Sequence, residues 1–86
     1  MVAMETADMV ARRRFVSAQA IFERRADLSG YPFRLLSVIS ERGLGMDQVS
    51  AVMAAAEMLM PHGWDLVNIT ESASSNRACA VMRRQH

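Results

Sequence analysis

The sequence contains no lysine, one cysteine, two prolines and one tryptophan among its 86 residues. A single thiol cannot form an internal disulfide, and Cys79 with His62 and His86 offers no ligand spacing that resembles a zinc or iron site. No run of about 18 uninterrupted apolar residues is present, so we expect no membrane-spanning helix. The sequence therefore predicts no metal, no cofactor and no membrane partner.

The composition argues against a disordered or a secreted chain. Hydrophobic residues make up 51% of the sequence, and the formal net charge is only +1. Residues 1–8 carry two acidic residues and no basic cluster ahead of an apolar run, so they do not resemble a secretory signal. We therefore expect one domain over residues 1–86, located in the cytoplasm. Its core is thin for its surface, and such a small domain often depends on a partner.

All ten basic side chains are arginine, a residue that suits bidentate contacts to phosphate. A nucleic-acid-associated regulatory protein is therefore one alternative, with seven candidate phosphate contacts: Arg12, Arg13, Arg14, Arg24, Arg25, Arg83 and Arg84. The net charge of +1 is far from the basic balance of a dedicated nucleic-acid binder. Residues 1–30 contain five arginines and four acidic residues, so most of the positive charge there is balanced. This balance favours contact with protein over contact with nucleic acid.

An amphipathic helix is predicted for the N-terminal segment, residues 1–30. Thr6 is a suitable N-cap, and Gly30 with Pro32 ends the helix. Apolar residues recur in between at steps of three and four: Ala7, Ala11, Phe15, Ala18, Phe22 and Ala26. The pattern predicts five or six helical turns that project from the domain or contact a partner.

The remaining residues, 31–86, predict a β-α-β-β unit. Apolar alternation indicates strands over 33–40, 64–71 and 77–84, and Asp47 is a suitable N-cap for a helix that ends before Gly63. A strand-helix-strand crossover makes the first two strands parallel, and the last strand pairs with its neighbours in the antiparallel sense. The predicted fold class is α+β, an N-terminal amphipathic helix followed by a three-stranded mixed sheet.

A short motif at the second strand, Gly63-Trp64-Asp65-Leu66-Val67, carries a family resemblance. Together with the closing strand, which ends in Arg83 and Arg84, it resembles a family of small bacterial domains of unknown function. In that family the second strand begins Gly-Trp-Glu-Leu-Val. The resemblance spans residues 32–84, leaves out the N-terminal helix and implies the strand-helix-strand-strand order without an activity.

Apolar residues lie on both sides of the predicted strands, so the sheet face away from the second helix also needs a cover. Either the first helix or another copy of the chain would supply it. The second helix is apolar nearly all round, which indicates a contact on its outer side as well, with the first helix or with a partner. Six residues are candidate partner contacts: Ala51, Ala54, Ala55, Met58, Phe15 and Phe22. The function we expect is a non-enzymatic protein-protein interaction or oligomerisation module that forms a homodimer.

No constellation of catalytic residues accompanies these surfaces. His62 lies in a helix-ending turn, Cys79 lies among small apolar residues, and Trp64 is expected to anchor the core. None of them belongs to a motif that joins a nucleophile, a base and an orienting group. A small-ligand carrier is a weaker alternative, because the flavin-storing dodecins share the strand-helix-strand-strand order.

Overall fold

The computed structural model describes residues 4–40, 47–72 and 77–85. The elements in chain order are α1 (Ala7–Arg13), β1 (Phe15–Ser17), α2 (Ala18–Phe22), β2 (Leu35–Ile39), α3 (Gln48–Leu59), a 3-10 turn (Met60–His62), β3 (Trp64–Ser72) and β4 (Arg77–Arg84). The α+β class is confirmed. The sequence also predicts a glycine-containing connection over 41–45 and a polar turn over 72–76, and both lie outside the described residues except Ser72, which ends β3.

The N-terminal segment differs from the single long helix that its spacing predicts. Thr6 caps α1 as expected, accepting a hydrogen bond from the Met9 amide at 3.3 Å. The helix ends at Arg14, whose backbone is left-handed with φ 66° and whose amide bonds the Val10 carbonyl at 2.6 Å. The next three residues form β1, and Ser17 then caps α2 through a hydrogen bond from the Ala20 amide at 3.1 Å.

The sheet has four strands in the order β1-β2-β4-β3, so the predicted three-stranded sheet is wrong by one strand. Strand β1 is parallel to β2, in register with Phe15 beside Ser37 and Val16 beside Val38. Strand β4 lies between β2 and β3 and is antiparallel to both. The predicted β3–β4 hairpin and the common direction of β2 and β3 are confirmed.

One contiguous core lies between the helices and one face of the sheet. Side chains alternate between the two faces of a sheet, and those on the core face of the strands include seven buried residues. They are Val16, Leu36, Val38, Trp64, Ala78, Ala80 and Met82. Val10 of α1 and Ile21 of α2 belong to the same cluster as Val52 and Leu59 of α3. The N-terminal segment therefore packs on its own chain, on the side where α3 already lies.

Helix α3 begins after Asp47, as predicted, with the carboxylate accepting from the Ser50 amide at 3.1 Å. The periodic spacing predicts a core stripe of six residues, Val49, Val52, Met53, Ala56, Leu59 and Met60. Four of them do pack in or against the core, but Met53 and Met60 are 49% and 42% exposed, and Ala51 and Ala55, expected on the outer side, are fully buried. Small alanines allow α2 and the sheet to approach α3 closely, and the larger methionines point to solvent.

Candidate functional site

The face of the sheet that points away from the core is the candidate site, and we call it the open face. Residues that pair across neighbouring strands point to the same face, and successive residues of one strand point to opposite faces. The open face therefore carries the residues that alternate with the buried ones along each strand. Its centre carries five apolar side chains around the small, half-buried Ser37, which pairs with Phe15 on one side and Val81 on the other. The five are Phe15, Leu35, Ile39, Cys79 and Val81. Leu35 is 47% exposed, and the other four are half-buried. Among the described elements, none packs its buried residues against this face.

Polar groups surround the apolar centre of the open face. Asn68 and Thr70 on β3 pair with Val81 and Cys79 on β4 and are exposed. Asp65 pairs with Arg83 in the register, and its Oδ1 accepts a hydrogen bond from Nε2 of Gln85 at 2.8 Å. Arg77 lies on the same face at the other end of β4, and the Arg13 guanidinium covers the Phe15 ring at 4.7 Å. The charged groups therefore lie at the margins of the face, and none of the described residues at its middle is charged.

The edges of the sheet are less suited to pairing with another strand. Strand β1 has only three residues. Strand β3 has a register shift between Leu66 and Asn68, where Val67 is 51% exposed. Such a bulge bends the strand and interrupts its row of hydrogen-bonding groups, which hinders edge-to-edge association. Of the sheet's surfaces, the open face is therefore the one best suited to contact another protein.

The six candidate partner contacts from the sequence do not form one surface. Ala51 and Ala55 have no exposed surface, because they belong to the interior of their own chain. Phe22 packs against the core, Ala54 is half-buried, and Met58 is 36% exposed at the end of α3. The outer contact that α3 was expected to make is in part satisfied by α2. Phe15 is the candidate that the structure places on the open face.

The structure brings two of the candidate phosphate contacts, Arg24 and Arg84, to one cleft and disperses the other five, most of which contact other side chains. Arg12 pairs with Asp8 one turn away at 3.2 Å, and Arg13 pairs with Glu5 and covers the Phe15 ring at 4.7 Å. Three further arginines also have neighbours: Arg14 stacks on Phe33, Arg25 pairs with Glu5 and Glu23, and Arg84 stacks on Trp64 and Tyr31. Arg24 and Arg83 are exposed. Because β1 interrupts the predicted helix, the basic residues 12–14 and 24–25 do not share one helical surface.

Glu5 is an organising residue that the sequence patterns do not reveal. Its side chain is only 13% exposed and accepts a hydrogen bond from the Ser17 hydroxyl at 2.7 Å, in addition to its ion pairs with Arg13 and Arg25. Its backbone bonds to Arg25 and Asp27 on either side of Ala26. These partners lie 8 to 22 residues away in sequence, so no local spacing could have identified them.

The residues considered for chemistry lie apart from one another. Trp64 is 3% exposed within the core, as expected of an anchor, and His62 is exposed at the end of the 3-10 turn. Cys79 is half-buried on the open face and not enclosed as predicted. Within the described ranges, no three His, Cys, Asp or Glu side chains are grouped as a metal site requires. Over the same ranges, no helix is long and apolar enough to cross a bilayer.

Comparison with known proteins adds no relative. No protein-family model, no curated protein and no solved structure matches the chain. The resemblance of residues 32–84 to small bacterial domains of unknown function therefore stays a prediction.

Proposed function

We propose that this chain is a protein-protein interaction module that forms a homodimer through its open face. The observation that supports the proposal is the apolar centre of that face, which no described helix covers. Large aliphatic side chains such as Leu35 and Val81 gain about 25 cal/mol for each Å² removed from water. Contact between two sheets would supply the missing burial, as it does in two-layer β proteins.

A second copy fits this face better than a charged partner does. Among the residues that the structure describes, none at the middle of the face is charged and would require an opposite charge across the interface. A two-fold axis places each apolar centre on its equivalent, so the match in polarity follows from symmetry. The net charge of +1 opposes the approach of two copies only weakly.

The dimensions of the face determine how strong the dimer can be. Four strands about 4.8 Å apart, with five residues rising about 3.3 Å each, present a flat area of roughly 300 Å² per copy. This lies below the roughly 800 Å² per partner of a standard stable interface. We therefore expect a weak, reversible dimer that exchanges with a folded monomer at micromolar concentrations.

Sedimentation velocity across protein concentrations tests the proposal. The wild type should pass from monomer to dimer as concentration rises through the micromolar range, from roughly 5 to 500 µM. Val81→Glu introduces a charge at the centre of the open face, and we expect that variant to remain monomeric with an unchanged circular dichroism spectrum. Met53→Glu is the matched control, because it places the same charge on an exposed side chain of α3. That variant should dimerise like the wild type.

Two results would refute the proposal. One is a wild type that remains monomeric at the highest concentration. The other is a dimer that survives Val81→Glu and is lost in Met53→Glu, which would assign self-association to the exposed methionines of α3. The alternative of nucleic-acid binding, which the dispersed arginines do not favour, stays a prediction from the sequence.

A further inference from the structure

A cleft of about 930 Å³ opens on the helix-covered side of the sheet, away from the open face. It lies between the segment 24–31, the C-terminal end of α3 with the 3-10 turn, and the start of β3. Its volume falls within the usual range of small-molecule sites, about 300–1,000 Å³. Apolar side chains such as Ile21, Leu28 and Leu59 form part of its wall, and Arg24, His62 and Arg84 contribute polar groups.

Arg84 is held in this cleft by aromatic rings. Its guanidinium carbon lies 5.0 Å from the centre of the Trp64 ring and 5.8 Å from that of Tyr31. Both rings are buried, and the Tyr31 hydroxyl donates to the Leu35 carbonyl at 2.8 Å, which fixes that ring. Among the described residues, no carboxylate forms an ion pair with Arg84. A stacked guanidinium keeps the N–H donors at its edge available for an anion.

Arg24 is directed to the same cleft by an unusual backbone. Its φ is 58°, in the left-handed region that costs a non-glycine residue about 1 kcal/mol. The turn is held by hydrogen bonds from the Arg24 amide to Ile21 and from the Arg25 amide to Ala20, at 3.1 and 2.8 Å. Glu23, the nearest acid in sequence, already bonds Gln19 and Arg25. Within the described part of the chain, Arg24 therefore has no ion-pair partner.

The charge balance of the cleft favours an anion. Asp27 is the one carboxylate among the lining residues that the structure describes, and its Oδ1 accepts hydrogen bonds from the amide and hydroxyl of Ser29 at 3.1 and 2.6 Å. The described lining residues therefore carry two arginines and one carboxylate, which leaves an excess of positive charge. A phosphate monoester carries a charge of about −1.5 to −2 near pH 7. It therefore matches two guanidinium groups better than a ligand with one carboxylate group does.

We infer that this cleft binds a small phosphate monoester, with Arg84 and Arg24 contacting the phosphate and the apolar wall contacting the organic part. His62 adds a further hydrogen-bonding group at the edge of the cleft. The site is separate from the proposed dimer interface, because Arg84 and Trp64 form a cross-strand pair on the covered side of the sheet. Binding therefore does not require the dimer.

Titration with phenyl phosphate, monitored by NMR, tests this inference. The chain has one tryptophan, so the indole N–H of Trp64 gives a single signal beside Arg84. We expect that signal to shift in a saturable manner, with benzoate binding several-fold more weakly and benzyl alcohol causing no saturable shift. Arg24→Gln and Arg84→Gln should each weaken binding about ten-fold or more, because each removes a charged hydrogen-bond donor.

Two controls keep the result interpretable. Arg12→Gln removes an exposed arginine of α1 and should leave binding unchanged, and Val81→Glu should also bind normally, because it alters only the open face. Arg24 is exposed, so Arg24→Gln tests the site even if Arg84→Gln loosens the stacking on Trp64. Equal binding of benzoate, or equal binding by Arg24→Gln and the wild type, would overturn the inference.

Discussion

Leu35 and Leu36 are adjacent residues of the same type on β2, yet Leu35 is 47% exposed and Leu36 is 1% exposed. The difference arises because successive side chains of a strand point to opposite faces. Three helices cover the face of Leu36, and no described element covers the face of Leu35. Similar apolar side chains thus stabilise the folded chain on one face and remain in contact with water on the other.

The comparison shows what the N-terminal segment does for the fold. A helix placed on the open face would have completed a three-layer domain. Instead, α1 and α2 join the core that α3 already covers, and β1 widens the sheet by one strand. The added strand enlarges both faces, so Phe15 extends the open face while Val16 extends the core. The N-terminal segment therefore increases the exposed apolar surface that a partner can bury.

The largest expected effect comes from substituting the two leucines. Leu36→Ala leaves a cavity in the core and should lower the free energy of unfolding by about 3 kcal/mol. Leu35→Ala removes the same atoms from a half-exposed position, and we expect a loss below about 1 kcal/mol. Urea unfolding of both variants measures the difference. Equal losses would mean that the two faces are equally buried, contrary to this account.

A smaller effect is expected where the N-terminal segment is tied to the covered side. Glu5→Ala removes the acceptor for Ser17 and the carboxylate that Arg13 and Arg25 share, and should cost about 2 kcal/mol. Asp8→Ala is the control, because its ion pair with Arg12 is exposed on one helix face and is worth about 0.5 kcal/mol or less. Thermal unfolding of the two variants tests the contrast. A Glu5 variant as stable as the Asp8 variant would show that the cluster does not hold the segment.

The smallest effect concerns Asp27, at the edge of the cleft and on neither face of the sheet. Hydrogen bonds from the Ser29 hydroxyl and amide lower the pKa of Asp27 below its ordinary value. A carboxyl whose pKa is lower in the folded state than in the unfolded state stabilises the fold at pH values above its unfolded-state pKa of about 4. This stabilisation disappears as the pH falls through the folded-state pKa. NMR titration of Ser29→Ala should show the pKa of Asp27 moving back toward its ordinary value. An unchanged pKa would contradict the assigned cause.

Local sequence signals predicted the elements that depend on neighbouring residues. The caps at Thr6 and Asp47, the helix end at Gly63 and the β3–β4 hairpin follow from short-range spacing and turn chemistry. Strand β1 was missed because its three residues continue the helical spacing of α1. It becomes a strand through pairing with β2, about 22 residues later in the chain. The number of strands therefore depended on a long-range contact.

The candidate site was predicted only in part for the same reason. The sequence indicated a sheet face without a cover, because both sets of alternating residues in the strands are apolar. It indicated most of the core stripe of α3 but not the burial of Ala51 and Ala55, since a hydrophobic pattern favours Met53 over Ala51 for the core. The actual packing favours the smaller residue. Arg24 and Arg84 were among the candidate phosphate contacts, but the cleft that joins them with His62 was not foreseen, because the three residues come from distant segments.

Cys79, the one cysteine of the chain, lies on the open face and reports directly whether two copies meet there. Its rate of reaction with a maleimide reagent should be measured at protein concentrations well below and well above the dimer midpoint. If two copies meet through the open face, the rate per molecule falls as concentration rises, and Val81→Glu abolishes that fall. A labelling rate that stays the same at every concentration, while sedimentation shows a dimer, would contradict association through this face.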